Sequence, residues 1–171
     1  RLSSMNYYYR NYSRRYFLDS IYENGLHNFE LWTGPQHFRI DGSGYVETRS
    51  LKKEVSVRGL NIICITPQQG NPNPYNLAAK GEYLQKESFK YFKNVIDAAA
   101  ELEVSMVSLN SGWDYYDEDP SDAWNRSVSM MKKVVNYGKK KSIKIVVEAL
   151  QPDESHLVNS ILHLKKYLCE V

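Results

Sequence analysis

Glu148 ends the apolar run Ile145-Val146-Val147, and Glu154 follows six positions later with Pro152 in the turn between them. A carboxylate at the end of a buried strand is costly unless it is paired or bound to a metal. Glu148 is therefore the first candidate for proton transfer or cation binding. The plainer readings are a strand-end salt bridge for Glu148 and a helix-start acid for Glu154. His37 lies in the loop Trp32-Thr33-Gly34-Pro35-Gln36-His37. It is a candidate for substrate contact, although most loop histidines are simply solvated. Trp32, Trp113, Tyr115 and Tyr116 stand near strand ends as well. Core packing is the default for any aromatic, but four rings on one face suit a sugar, whose C–H face stacks on them. The acidic run Asp114, Asp117, Glu118 and Asp119 lacks the spacing of a calcium loop and reads as a solvated loop with helix-start charges. His27, His156 and His163 fall at helix or helix-end positions and read as structural or exposed.

Other chemistries lose their support by what the sequence lacks. It contains no Walker-type loop, no dinucleotide fingerprint after the first strand and no nucleophile elbow. It also has no CxxC and no closely spaced histidine pair of the kind a zinc site uses.

These candidates need elements to position them, and the pattern alternates strand and helix five times. A first strand is expected over 4–9, then a helix capped by Ser13, striped by Phe17, Leu18 and Ile21 and stopped at Asn24-Gly25. The second strand is 28–32, and a long loop leads to a helix over 51–58, capped by Ser50 and ended by Gly59. The run 60–66, rich in isoleucine, reads as a strand covered on both faces. A turn-rich segment, 67–76, precedes a long helix with Leu84, Tyr91, Val95, Ala99 and Leu102 on its inner side. A fourth strand over 104–109 is followed by a helix capped by Ser121, facing inward through Trp124, Val128, Met131 and Val135. The fifth strand, 143–147, ends at Glu148, and Ser155 starts a last helix with Leu157, Ile161, Leu164 and Leu168.

Alternating strands and helices imply a parallel sheet, because each return to a parallel neighbour needs a crossover. Five units in 171 residues make about 34 residues each, the size of a βα module. Two folds are compatible with a single domain over 1–171. One is a (β/α)₈ TIM barrel truncated to about five βα units; the other is a five-stranded open flavodoxin-like sheet. In both, the long loops 33–49, 67–76, 110–120 and 149–153 follow strand C-terminal ends, so the ligand face is the same.

Composition bounds the partners. The chain carries 22 Lys and Arg against 20 Asp and Glu, a net charge of +2, so no nucleic-acid or membrane-surface partner is expected. No stretch nears the roughly 18 apolar residues of a membrane helix. Cys64 and Cys169 lie far apart and suit a reduced cytoplasmic setting. Fourteen tyrosines are unusual, and the absence of an initiator Met and the ending inside a helical pattern point to a processed or truncated chain.

Three segments together are similar to sugar isomerases and epimerases of the xylose-isomerase-like superfamily, in its ketose 3-epimerase branch. They are Phe29-Glu30-Leu31-Trp32-Thr33-Gly34-Pro35-Gln36-His37-Phe38, Ile65-Thr66-Pro67 with Asn73-Pro74-Tyr75-Asn76, and Val146-Val147-Glu148-Ala149-Leu150-Gln151-Pro152-Asp153-Glu154-Ser155. The last is the most specific. The resemblance implies a TIM barrel with one divalent metal (Mn²⁺, Co²⁺ or Mg²⁺) at the C-terminal face. It implies that Glu148 is both metal ligand and acid/base group, epimerising a ketose, ketose phosphate or fructosamine beside its carbonyl. Glu154, Trp32, His37 and Trp113 match substrate-contacting positions.

The family's remaining ligands, from strands six to eight, have no counterparts in these residues. The chain alone is thus expected to be inactive, not to hold the metal by itself, and to expose strand edges that invite dimerisation. A non-catalytic sugar-binding or structural piece is the alternative. An apurinic-site endonuclease of the same superfamily would need a histidine-rich three-metal cluster and a basic face, which four histidines and a charge of +2 do not favour.

Overall fold

The computed structural model describes residues 2–171. In chain order the first half forms β1 (Ser4–Met5), a 3₁₀ turn (Asn6–Tyr9), α1 (Arg14–Glu23), β2 (Asn28–Trp32), β3 (Ile40–Asp41), β4 (Gly44–Tyr45) and α2 (Thr48–Ser56). The second half forms β5 (Asn61–Thr66), α3 (Glu82–Glu101), β6 (Met106–Leu109), α4 (Pro120–Lys140), β7 (Lys144–Val147) and α5 (Ile161–Glu170).

Five of the strands make one parallel sheet in the order β1-β2-β5-β6-β7, while β3 and β4 form a separate antiparallel hairpin. Each strand therefore lies beside the one that precedes it in the main sheet. A flavodoxin-like sheet winds both ways and puts its first strand inside, in the order 2-1-3-4-5. Here β1 is an edge, and the winding never reverses. That is the order of a (β/α)₈ barrel, and it excludes the open flavodoxin-like alternative.

One core holds the helices against one side of the sheet. Phe17, Leu18 and Ile21 of α1, Leu51 of α2, Phe92, Val95 and Ile96 of α3 and Met131 of α4 pack with Phe29, Leu31, Ile65, Val107 and Leu109 of the strands. The opposite side carries Glu30, Trp32 and Thr66, none of them fully buried. The expectation that 60–66 is covered on both faces is thus corrected: Asn61 is exposed and Ile63 is 38% exposed. The register slips between Phe29 and Glu30, where Ile62 and Cys64 are their partners and Ile63 is left over. A bulge of this kind turns side chains toward different faces.

Several element boundaries differ from the sequence reading. The first strand ends at Met5, because Asn6 begins the 3₁₀ turn. Helix α2 starts at Thr48 and is capped by Glu47, which accepts from the N–H groups of Arg49 and Ser50. Helix α4 is capped by Asp119, with Pro120 at the first helical position where its missing N–H costs nothing. Helix α5 begins only at Ile161, capped by Ser160. Ser155 instead is buried, its hydroxyl donating to the Gly112 carbonyl at 2.8 Å. The inner face of α5 is accordingly not the expected stripe. Ile161 and Leu168 are exposed, and Tyr167 is the buried anchor, its hydroxyl bonded to Ser127 Oγ at 2.7 Å. The cap at Ser13 and the strand 28–32 stand as read.

Candidate functional site

All the long connections leave the C-terminal ends of the parallel strands, and Glu148 is the first residue beyond β7. Its backbone N–H continues the sheet pairing by donating to the Leu109 carbonyl at 2.8 Å. Its carboxyl meets no Lys, Arg or His among the described residues. The strand-end salt bridge is therefore absent. Partial loss of hydration raises its pKa above the ordinary carboxylate value, and the negative charges of Glu30 and then Glu154 raise it further. The residue as a whole remains exposed, so burial acts on the carboxyl only in part.

Glu30 is a residue of this face that the sequence reading does not single out. It projects from β2 between the buried Phe29 and Leu31, and the Thr66 hydroxyl at the end of β5 donates to it. The signal was present: a charge at the polar phase of a period-two strand faces away from the helices. Glu30, Glu148 and Glu154 thus form one acidic neighbourhood over the sheet. Glu154 accepts a hydrogen bond from the Gln151 N–H at 3.2 Å, closing the turn that follows β7.

Trp32 is placed by its own backbone. Its N–H donates to Asn6 Oδ1 at 2.6 Å, and its carbonyl accepts from Asn6 Nδ2 at 2.8 Å. The ring packs edge-on to Tyr7 at 5.2 Å. It also lies against Gly34, where a Cβ would overlap the indole, so only glycine admits this ring position. His37 sits behind the loop, 3% exposed. Both its ring nitrogens are engaged, with Asn6 Nδ2 and with the Tyr12 carbonyl, each at 2.9 Å. It reaches the ligand face only through Asn6 and the Trp32 backbone.

Trp113 is held by Asn76, whose Oδ1 accepts from the Trp113 N–H at 3.0 Å and whose Nδ2 donates to its carbonyl at 2.7 Å. The indole Nε1 is buried without an acceptor among the described residues. Trp113 and Glu154 line a common cavity of about 100 Å³ with Asp114, Tyr116 and His156. The structure therefore brings Trp113 and Glu154 together, and Glu154 to the field of Glu148.

The acidic run 114–119 is not a uniformly solvated loop. Glu118 is buried against Arg126 Nη2 at 2.6 Å, with Lys80 Nζ at 3.3 Å, and Asp119 caps α4. The Asp114 side chain is only 4% exposed.

A resident divalent ion is not accommodated by these residues alone. Among the described residues no three His, Cys, Asp or Glu side chains converge as a metal site requires. Glu148 offers one free carboxylate, far short of the six or so ligands that hard cations take. No helix among the described residues is long and apolar enough to cross a membrane.

One-way parallel strand order, helices on one side and an acidic, aromatic face at the strand C-terminal ends define part of a (β/α)₈ barrel. The chain belongs to the xylose isomerase-like TIM barrel family, whose profile matches residues 18–171. It is 26% identical over 144 residues to fructoselysine 3-epimerase of Shigella flexneri, and 25% identical over 144 residues to that of Escherichia coli O157:H7. Both matches cover 82% of this chain and 52% of the relative, so the chain spans about half the length of these curated relatives. Among solved structures, D-psicose 3-epimerase from Clostridium cellulolyticum H10 superposes with a TM-score of 0.80 at 15% identity, over 98% of this chain and 58% of the other. L-ribulose 3-epimerase does so with a TM-score of 0.78 at 19% identity, over 99% and 56%. At such identities the likeness shows the fold.

Proposed function

We propose that these residues carry one of the two proton-transferring groups of a sugar isomerase or epimerase, and that the group is Glu148. The single observation behind this reading is the Glu148 carboxyl itself: unpaired, at the tip of the fifth parallel strand, with its pKa raised by desolvation and by Glu30 and Glu154. A carboxylate with a raised pKa is a stronger base toward a carbon acid at neutral pH than an ordinary one. Its oxygen takes the proton from the carbon beside a ketone, and the C–H electron pair moves into the carbonyl to give an enediolate. Return of a proton to the opposite face, by a second acid outside these residues, inverts the centre.

Trp32 and Trp113 wall the sugar, Glu154 accepts from its hydroxyls, and His37 fixes the loop behind Trp32 through Asn6. The substrate is a ketose, ketose phosphate or fructosamine; the relatives named above are fructoselysine epimerases. Glu148 also contributes one ligand to a divalent ion, Mn²⁺, Co²⁺ or Mg²⁺, whose other ligands lie outside these 171 residues. On this reading the 171 residues alone neither hold the ion tightly nor turn over substrate. The free thiols of Cys64 and Cys169 fit a reduced cytoplasmic setting.

The test is solvent deuterium exchange into a panel of ketoses by the protein that contains these residues. Exchange is expected at the carbon beside the carbonyl, to be lost in Glu148→Gln and absent from the 171-residue chain alone. Exchange that persists in Glu148→Gln removes the assignment.

A further inference from the structure

Ser155 stands next to Glu154 in the turn after β7, yet it is buried. Its hydroxyl donates to the Gly112 carbonyl at 2.8 Å and accepts from the Leu157 N–H at 3.2 Å. A serine hydroxyl has one hydrogen to give, and the Gly112 carbonyl takes it. Ser155 forms part of the wall of the cavity that Trp113 and Glu154 share, but it has no hydrogen left for a ligand there.

What the hydroxyl holds is the loop that carries Trp113. Side chains from several elements pin the backbone of that loop. Gln69 Oε1 accepts from the Asn110 N–H at 3.1 Å, Asn76 brackets Trp113, and Ser127 of α4 donates to the Ser111 carbonyl at 2.6 Å. Among the described residues the Gly112 carbonyl accepts only from Ser155. Of these pins, Ser155 alone comes from the segment that carries Glu154. The two are parts of one closed turn, because the N–H groups of Glu154 and Ser155 both donate to the Gln151 carbonyl, at 2.9 and 3.1 Å. The other link between the two loops is looser. His156 Nδ1 lies 3.7 Å from Asp114, beyond hydrogen-bond reach, and its ring stacks on an exposed Tyr116. A buried hydrogen bond fixes direction as well as distance, so Ser155 decides how the two loops stand.

We infer that Ser155 is a positioning residue, which sets the Glu154 carboxylate against Trp113 through the Gly112 carbonyl. The inference rests on the reading that Glu154 and Trp113 hold a ketose over Glu148. Loss of the hydroxyl leaves the Gly112 carbonyl unpaired and frees the Glu154 turn to shift relative to Trp113. A misplacement of about 1 Å is enough to cost on the order of a hundredfold at such a site. Glu148 itself stays in place, since its N–H is held by the Leu109 carbonyl as part of the sheet.

The experiment measures KM and kcat for deuterium exchange into D-fructose, D-psicose and D-tagatose by the whole protein that contains these residues. Ser155→Ala is expected to raise KM roughly tenfold with kcat within about twofold, because binding is lost while the proton-transferring group is untouched. Ser127→Ala frees the neighbouring Ser111 carbonyl without touching the Glu154 turn, so its KM should stay within about twofold of the parent. In a Glu154→Ala background, Ser155→Ala should raise KM no further, since a residue that acts through another adds nothing once the other is gone. The role is overturned if Ser155→Ala leaves KM unchanged, if Ser127→Ala raises it equally, or if the effects of Ser155→Ala and Glu154→Ala multiply. Ser155→Cys, whose thiol is a weak donor, takes the place of Ser155→Ala if that variant does not fold. Absence of exchange into all of these ketoses would count against the sugar reading alone. The link from Gly112 to Glu154 is then decided by NMR of the 171-residue chain. Ser155→Ala should move the Glu154 carboxyl carbon signal and Ser127→Ala should not; a Glu154 signal unmoved by Ser155→Ala overturns the link.

Discussion

The side-chain amide of Asn6 donates to Nδ1 of His37 at 2.9 Å, in the interior between the first two strand ends. The arrangement admits one hydrogen pattern. The Tyr12 carbonyl can only accept, so His37 Nε2 carries the proton, and Nδ1 is then the acceptor for Asn6. The Asn6 oxygen is likewise assigned by its bond from the Trp32 N–H. One fully buried asparagine thereby ties β1, the end of β2 and the 33–39 loop, and it sets where Trp32 stands.

Replacing Asn6 by Ala is expected to leave the Trp32 N–H and carbonyl and one His37 nitrogen without partners. The cost should be about 2–4 kcal/mol of unfolding free energy, because each buried unsatisfied group costs about 1–3 kcal/mol. Asn6→Asp keeps the acceptor for the Trp32 N–H but loses both donors, and should be nearly as damaging. Urea denaturation measures both, and a cost below that of an ordinary surface change would show that the clamp is not structural.

Gly112 should not tolerate a side chain. Its φ is +87°, and a Cβ there would overlap Asn76 Oδ1 and come within 2.8 Å of the Ala78 nitrogen. Asn76 is the residue that holds Trp113 on both sides of its backbone. Gly112→Ala is expected to destabilise by more than the roughly 1–2 kcal/mol that the left-handed conformation costs a non-glycine residue. It should also shift the Trp113 fluorescence maximum. An unchanged spectrum at full stability would contradict this account.

Glu148 should cost the fold stability at neutral pH. Its folded pKa lies above the ordinary 4.5, so the folded state binds the proton more tightly than the unfolded one. Stability therefore falls as pH rises from 4.5 through the raised value, and the penalty is full above it. Glu148→Gln removes that penalty. A gain of roughly 0.2–0.5 kcal/mol at pH 7 is expected, kept small by exposure and salt screening. Loss of stability in this variant would mean that the carboxylate has a structural partner after all.

Glu54 should behave in the opposite sense. The Arg14 guanidinium donates to it from Nε at 3.0 Å and from Nη2 at 2.5 Å, and holds its pKa below 4.5 against the effect of burial. Its contribution is fully present above the unfolded value and is lost as pH falls through the lower folded value. Glu54→Gln should lower stability at pH 7 by about 1 kcal/mol, since charged hydrogen bonds at partly buried sites are worth somewhat more than neutral ones. It should also flatten the acid limb of the stability–pH curve, which thermal melts across that range would show. An unaltered slope would assign the acid limb to other carboxylates.

Strands and helices were legible because burial imposes its period on the residue types. Asn28–Trp32 alternates as a half-buried strand should, and α1 shows its apolar stripe and its serine cap. Helix starts were less legible. Any of several neighbouring Ser, Asp or Glu side chains can reach the same free N–H groups, and only the path of the preceding loop selects among Glu47 and Ser50, or Asp119 and Ser121. The segment 149–160 misled for another reason. Ser155 has the look of a cap, but the Gly112 carbonyl, distant in sequence, claims its hydroxyl.

By itself the order of residues determined that the protein alternates β and α, that its ligand loops share one face, and that Glu148 stands at a strand end there. These follow from local pattern, because an apolar period and a turn residue act over a few positions of chain. Tertiary structure alone decided that the strands wind in one direction, that the charge of Glu30 reaches Glu148, and that Asp114 is enclosed while Asp119 serves as a cap. Those outcomes depend on contacts between residues tens of positions apart, and hydration, charge and hydrogen-bond partners there are set by proximity in space, which no local pattern encodes.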